Sequence, residues 1–201
     1  MNVLETSDMP FDFDLNRSLG VFVRSFADGL ATKIDPVQWH IHESDENVAK
    51  SCATVTLTGF PVFGVDFTLL PESHLRVVAA WMGFYRQHQI DLAKGRFAPV
   101  GFSGLFPQFR VLSGAKAFIY VGSSSTAPTS IDGCEEAYIV NASDADRVLL
   151  TLDAAPHGRW RAVMRNCFLV ETRTSELATA GEKLLMDESV PQGGLLELHK
   201  I

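Results

Sequence analysis

The first part of the chain alternates helix-like and strand-like patterns of apolar residues. Residues 15–30 place apolar side chains at the three- and four-residue spacing that predicts a helix with one buried face. The short apolar segment at 36–42 predicts a strand. Residues 60–67, FPVFGVDF, are apolar up to Asp66 and do not alternate, which is typical of a strand buried on both faces of a parallel sheet.

Two further helices have recognisable ends in the sequence. Ser44 or Asp45 can cap a helix with an acidic first turn, and Gly59 suits its end. A longer helix is predicted from Pro71 to Gly95. Its apolar stripe is predicted to contain Leu75, Val78, Ala79, Met82, Tyr85 and Arg86. The predicted order is therefore helix, strand, helix, strand, helix.

After residue 95 the pattern changes to short segments in which apolar and polar residues alternate. The predicted strands are QFRVLSG, KAFIYVG, EAYIVNAS, RVLLTLD, RWRAVMR and GLLELHK. Such a series is typical of an antiparallel sandwich or Greek-key domain. We therefore expect an α+β chain with two domains, residues 1–95 and residues 96–201. The second domain has enough strands to fold by itself, whereas the predicted strands of the first would leave costly unpaired edges.

The composition narrows the range of partners. The net charge of −7 and the pI of about 5.3 disfavour nucleic acid, whose phosphates attract basic proteins. No apolar run approaches the roughly 20 residues that span a bilayer, and the acidic start lacks the layout of a signal peptide, so we expect no membrane partner and a cytoplasmic location. Cys52, Cys134 and Cys167 are far apart in the sequence, which predicts neither disulfides nor a zinc site. The sequence has no glycine-rich loop of the kind that binds phosphate, so we expect no cofactor.

Several segments, in their order along the chain, resemble the alpha-galactosidase clan of glycoside hydrolases, and most closely its melibiase-type family. His40 or His42 resembles a histidine that follows the seventh barrel strand in those proteins. FPVFGVDF resembles their apolar strand that ends in aspartate, and LLPESHL with FYRQHQ resembles the helix that follows. The last strand, VPQGGLLEL, resembles the end of their all-β C-terminal domain. The resemblance covers nearly the whole chain.

The resemblance implies both a fold and a function. Segments 36–42 and 60–67 would be the seventh and eighth strands of a (β/α)8 barrel, and residues 96–201 a C-terminal β-sandwich. The chain would then be the C-terminal portion of a retaining glycoside hydrolase that acts on α-linked sugars, and its partner would be an α-glycoside. In that family the nucleophile lies on an earlier barrel strand, so we expect this chain to be inactive alone.

The resemblance also suggests site residues, because the active sites of such barrels lie at the carboxyl ends of the strands. Asp8, in the segment ETSDMPFDFD, would correspond to the acid/base residue. His40 and His42 would share one face of a strand, where imidazole can donate and accept hydrogen bonds with sugar hydroxyls. Asp66 closes its strand at the barrel mouth and would bind sugar hydroxyls or hold a neighbouring loop.

Each of these residues also has an alternative role. Asp8 can be a solvated residue near a chain end. His40 and His42 can orient a loop before the next helix, or ligate a metal ion together with a carboxylate. For the whole chain, the alternative is a non-catalytic carbohydrate-binding or structural interaction module. The open strand edges further predict self-association, or association with the rest of a barrel.

Overall fold

The structure, a computed structural model, describes residues 3–5, 12–27, 30–33, 36–100, 106–123, 131, 133–152, 158–179 and 184–201. Within these residues the helices are α1 (Phe13–Phe26), α2 (Asp45–Thr58) and α3 (Glu72–Lys94). The strands described there are β1 (Val3–Glu5), β2 (Ala31–Lys33), β3 (Arg96–Val100), β4 (Gln108–Ser113), β5 (Lys116–Val121), β6 (Glu136–Asn141), β7 (Val148–Leu152), β8 (Gly158–Arg165), β9 (Glu171–Thr179), β10 (Leu184–Glu188) and β11 (Leu195–Lys200). This described part is mixed α/β, with three helices and a seven-stranded, mostly antiparallel sheet. None of its helices has the length and apolar character that crossing a membrane requires.

The starts of α1 and α2 are set by capping side chains. Asp12 accepts a hydrogen bond from the backbone N–H of Leu15 at 2.8 Å, so α1 begins and ends earlier than the predicted helix at 15–30. Ser44 accepts a hydrogen bond from the N–H of Asn47 at 3.2 Å. Of the two predicted caps for α2, the structure therefore confirms Ser44.

The ends of α2 and α3 lie at glycines that the sequence predicted. A Cβ atom at Gly59 would lie 2.5 Å from the carbonyl oxygen of Thr32. At Gly95 it would lie 2.5 Å from a methyl group of Val111. Since real Cβ contacts are never this short, both positions need glycine for close approach of the chain.

α3 packs through a different stripe from the predicted one. Its buried residues are His74, Val77, Val78, Trp81, Phe84, His88 and Leu92. Val78 alone belongs to both sets, and Leu75 from the predicted stripe is exposed. The predicted stripe was displaced by one residue around the helix, so that Trp81 and Phe84 are buried more fully than Met82 and Tyr85. The flat ring of His88 packs 4.7 Å from that of Phe84 inside the core.

Three consecutive segments run parallel to one another. β1 pairs with β2 in parallel, and α1 connects them. Further along, Lys33 pairs with Phe60 and Val37 with Phe63, again in parallel, as isolated bridges. α2 connects β2 to residues 60–63. Each connection therefore has the order strand, helix, parallel strand.

The predicted strands at 36–42 and 60–67 are shorter than expected. Among the described residues, the first contributes a bridge at Val37 followed by a turn, and the second contributes two isolated bridges. Phe60 and Phe67 are 40% and 41% exposed. The prediction of a strand buried on both faces is therefore wrong, because the described chain covers and pairs this segment on one side only.

The second half of the chain forms most of the sheet structure. The seven-stranded sheet has the order β3-β4-β5-β6-β11-β8-β9, and its neighbours are antiparallel except β5 and β6. β7 and β10 pair separately in an antiparallel ladder. The six strands predicted by alternation are confirmed as β4, β5, β6, β7, β8 and β11. A closed sandwich is not shown by these pairings.

The two faces of the seven-stranded sheet bury separate cores. Phe118 lies in the core that the helices cover, and its neighbour Ile119 lies in the core on the opposite face. The helix-side core joins, among others, Val48, Trp81, Phe118, Tyr138 and Leu195. Residues before and after position 95 therefore contribute to one shared hydrophobic core.

Candidate functional site

The first candidate residues, His40 and His42, lie in a turn that follows the parallel bridge at Val37. The N–H of Glu43 donates to the carbonyl of His40 at 2.9 Å, and the N–H of His42 donates to His40 Nδ1 at 3.2 Å. The two imidazole centroids are 5.1 Å apart and both side chains are exposed. The two histidines are therefore exposed side by side. They lie on a turn, and not on the strand that the sequence predicted.

This histidine turn is tied to the start of α2. Glu43 Oε1 accepts hydrogen bonds from Asn47 Nδ2 at 2.7 Å and from the N–H of Ser44 at 3.3 Å. Because Ser44 also caps α2, the turn and the first turn of the helix form one hydrogen-bonded unit.

Behind the histidine turn lies a buried imidazole that sequence reasoning missed. Trp39 Nε1 donates to His74 Nδ1 at 3.3 Å, so His74 carries its proton on Nε2. That Nε2 donates to the carbonyl of Glu43 at 2.9 Å and lies 3.9 Å from an oxygen of Asp45. His74 therefore connects α3 to both ends of the turn, and neither its position nor its partners were visible in the local pattern.

The candidate Asp66 lies in the turn between the parallel segment and α3. Its Oδ1 accepts hydrogen bonds from the N–H and the hydroxyl of Thr68, at 2.9 and 2.6 Å. The hydroxyl of Thr68, and then its N–H, lower the pKa of Asp66 below its usual value. The side chain is exposed, so an ionised carboxylate faces outward while one of its oxygens holds the turn.

The histidine turn and the Asp66 turn lie side by side. The rings of Trp39 and Phe63 meet edge to face at 6.0 Å, and Phe63 meets Phe67 in the same way at 6.0 Å. The N–H of Gly64 donates to the carbonyl of Val37 at 2.9 Å. The structure therefore brings together the two loops that sequence reasoning selected, at the carboxyl ends of neighbouring parallel segments.

Asp8 lies outside the described residues. The strand that precedes it, β1, pairs in parallel with β2 and points toward the same end. β1 therefore runs in the same direction as the segments that lead into the histidine turn and the Asp66 turn.

The described loops suit the binding of hydroxyl groups better than covalent attack. His40 and His42 offer exposed donors and acceptors, and Asp66 offers a second carboxylate oxygen. Glu43 Oε1 and Asp66 Oδ1, in contrast, already accept hydrogen bonds from neighbouring groups. Within the described part of the chain, no cluster of three or more His, Cys, Asp or Glu side chains could hold a metal ion.

A second polar group lies on the helix-facing side of the sheet. Arg165 donates from Nε and Nη2 to the two oxygens of Glu197, at 2.8 and 3.0 Å. Tyr138 donates to Glu136 at 2.6 Å, and His199 Nε2 lies 3.6 Å from Glu197. The i, i+2 spacing of Glu136 with Tyr138 indicates one shared strand face, but the contacts between strands depend on the sheet register and were not predicted.

Each carboxylate in this sheet network has a hydrogen-bond donor. The hydrogen bonds and charge of Glu197 raise the pKa of Arg165. Burial, and then the bond to Glu136, raise the pKa of Tyr138 above its usual range. Since each acid has a donor within the network, the arrangement favours a structural role in holding β6, β8 and β11 together.

Comparison with known proteins identifies no relative. No family model, no curated protein and no solved structure matches the chain. The interpretation of the site therefore rests on the two adjacent loops and the parallel segments that carry them.

Proposed function

We propose that the chain is the C-terminal portion of a retaining glycoside hydrolase of the alpha-galactosidase clan, and that its loops contact an α-linked sugar. The observation that carries this proposal is the parallel series β1, β2 and 60–63, connected by α1 and α2. The candidate loops follow the carboxyl ends of these segments, where (β/α)8 barrels place their active sites. The sequence resemblance to the melibiase-type family supports the same arrangement.

In this proposal the site residues have separate roles. His40 and His42 exchange hydrogen bonds with sugar hydroxyls, and the outward oxygen of Asp66 accepts one. Asp8 acts as the acid/base residue. The nucleophile comes from an earlier strand of the barrel, so the chain does not hydrolyse glycosides by itself.

The backbone of the parallel series supports the need for further strands. Phe60, Val62 and Gly64 direct their backbone bonds to the β2 side; for example, the N–H of Val37 donates to the carbonyl of Val62 at 3.0 Å. The intervening residues direct theirs to the opposite edge, where no described backbone group pairs with them. Additional parallel strands would satisfy that edge.

A second candidate function is that of a non-catalytic interaction module. α1 presents an aromatic pair to solvent: Phe22 and Phe26 are 54% and 68% exposed, with ring centroids 4.9 Å apart. Exposed apolar surface of this kind is typical of contacts with another protein. In this interpretation the helices brace a partner and the sugar-contacting loops are unused.

We also propose a cytoplasmic location. Cys52, Cys134 and Cys167 are buried thiols. Reduced, packed cysteines are typical of proteins from reducing compartments.

Saturation-transfer NMR with methyl α-galactoside tests the proposal on the chain as it is. We expect saturation transfer to the sugar, and its loss in Asp66→Asn and in the double variant His40→Ala/His42→Ala. Asp66→Asn keeps an oxygen for the Thr68 bonds, so the turn should persist. Asp146→Asn, an exposed carboxylate between β6 and β7, is the matched control.

Two outcomes would contradict the proposal. A folded chain that shows no saturation transfer to the sugar would favour the interaction module. Turnover of a nitrophenyl α-galactoside by the chain, lost in Asp8→Asn, would show that no further strand is needed for catalysis.

A further inference from the structure

A cavity of about 320 Å³ lies between α1, the start of β2, Phe60 and the last turn of α3. Its walls are mostly apolar, with Leu30, Phe60 and Leu92 among them. It borders the amino ends of the parallel segments, whereas the histidine turn and Asp66 follow their carboxyl ends. Its volume is at the lower end of the range for small-molecule sites. The cavity is therefore separate from the proposed sugar site.

The polar groups of the cavity are predominantly cationic or hydrogen-bond donors. Arg24 donates from Nη2 to the carbonyl of Leu92, and its Nη1 lies 3.5 Å from Thr32 Oγ1. A guanidinium has five N–H donors, so further donors remain. Tyr85 and Lys94 also line the cavity, and within the described residues neither has a side-chain hydrogen-bond partner.

The charge on Arg24 is half-buried, and no carboxylate of the described residues lies beside it. Its guanidinium lies 5.7 Å from the ring centroid of Phe97, and no described acid pairs with it. Burial lowers the pKa of Arg24, which reflects the cost of desolvating its charge. An anion in the cavity would offset that cost.

The carbonyl ends of two helices also attract the cations of the cavity. The last turns of α1 and α3 lie at the cavity, and their carbonyl ends favour positive charge. The bond from Arg24 to the carbonyl of Leu92 satisfies part of this preference for positive charge. Tyr85 is a neutral donor, so the helix ends do not explain its place in the cavity. The set of donors thus exceeds what the helix ends require.

We propose that the cavity binds a small amphipathic monocarboxylate, with its carboxylate on Arg24, Tyr85 and Lys94 and its hydrocarbon part against Leu30 and Phe60. A carboxylate matches the planar guanidinium and can accept a further bond from the phenol. The mostly apolar walls favour a hydrocarbon chain over a strongly hydrated phosphate or sugar. This binding site is independent of the glycoside hydrolase proposal.

Calorimetric titration of the full chain with octanoate and with 1-octanol tests the assignment. Octanoate should bind about tenfold more tightly than 1-octanol, which fills the same space without a charge. Tyr85→Phe and Lys94→Met should each weaken octanoate several-fold and leave 1-octanol unchanged. Ala93→Leu, which fills part of the cavity, should weaken both ligands.

Arg24→Met should weaken octanoate most, and the two milder variants keep the test decisive if that protein does not fold. Arg86→Met, which removes an exposed arginine next to Tyr85 and outside the cavity lining, is the matched control and should leave octanoate binding unchanged. Equal affinity for octanoate and 1-octanol would overturn the proposal. So would absence of octanoate binding to the wild type, or an equal loss in Arg86→Met and Lys94→Met.

Discussion

The ammonium group of Lys50, in the middle of α2, lies 2.8 Å from a carboxylate oxygen of Asp144, in the loop after β6. The Lys50 side chain is 3% exposed, whereas Asp144 is open to solvent. Lys50 also donates to Gln192 Oε1 at 3.1 Å, in the segment before β11. Two loops of the sheet therefore satisfy one buried charge on a helix, and they fix the position of α2 against the sheet.

We predict that Asp144→Ala destabilises the chain, because it leaves a buried ammonium with one neutral acceptor. Lys50→Met should cost less, since it removes the charge that needs a partner. Urea unfolding of both variants measures the difference. Asp146→Ala, in the same loop, is the control, and a wild-type midpoint for Asp144→Ala would show that water already solvates the ammonium.

His74→Phe should loosen the histidine turn. The variant leaves Trp39 Nε1 without its acceptor and the Glu43 carbonyl without its donor, at a cost of about 1–3 kcal/mol. Amide hydrogen exchange of residues 40–44 should accelerate, while exchange in β5 should change little. Leu75→Gln, at the exposed neighbouring position, provides the comparison. Unchanged exchange in the turn would mean that its contacts with α2 hold it without His74.

A buried imidazole makes stability depend on pH. His88 Nδ1 is buried and has no hydrogen-bond partner among the described residues. Burial lowers the pKa of His88 most, and the charge of Lys116 lowers it further, against the opposing effects of Asp91, Glu136 and Glu197. The folded state therefore binds a proton at this site at a lower pH than the unfolded state does.

As the pH falls below 6.5, the usual value for histidine, the unfolded chain takes up the proton first. The contribution of His88 to stability is thus complete above that pH and is lost as the pH falls from there toward the folded-state pKa. Urea midpoints measured across this interval should fall for the wild type. His88→Phe should flatten the dependence. An unchanged slope in His88→Phe would assign the effect to other groups.

The sequence predicted best those helices whose ends are marked by capping residues or glycines. α2 and α3 were predicted nearly to the residue, because Ser44, Gly59 and Gly95 mark their ends. β9 was not predicted, because its exposed and polar residues take strand form by pairing with β8 at the edge of the sheet. Its conformation depends on a neighbour that the local pattern does not reveal.

The same limit applies to the sites. The two loops with His40 and Asp66 were selected from the family resemblance and from their place after apolar segments. The pairing of Arg165 with Glu197 depends on the register between β8 and β11, and the contact of Arg24 with Leu92 crosses from α1 to α3. Neither leaves a periodic signal along the chain.

The shared core bears on the expectation that residues 96–201 fold by themselves, which stays a prediction. Phe109, Phe118 and Tyr120 of the sheet are almost fully buried in the helix-side core, and Tyr120 lies 3.1 Å from Thr54 of α2. We therefore expect the excised segment to melt at a lower temperature than the full chain and to bind a dye for exposed apolar surface. An equal melting temperature without dye binding would show that the sheet does not need the helices.

Self-association through the first half follows from the open backbone edge at residues 60–65 and the exposed aromatic pair on α1. An unpaired strand edge is a template for another strand, and an exposed aromatic pair adds apolar area to the contact. We expect a dimer or larger assembly at micromolar concentration by light scattering. Val62→Lys should weaken it if the edge forms the contact, and Phe26→Lys if the aromatic pair does, because each would bury an unpaired ammonium.

Ile90→Lys, an exposed apolar position on α3, controls for the added charge. A shift toward monomer in all three variants would indicate a general charge effect, whereas a selective shift would identify the contact. A wild type that remains monomeric and fully folded would contradict the prediction. It would also weaken the glycoside hydrolase proposal, because an edge that tolerates solvent does not require further barrel strands.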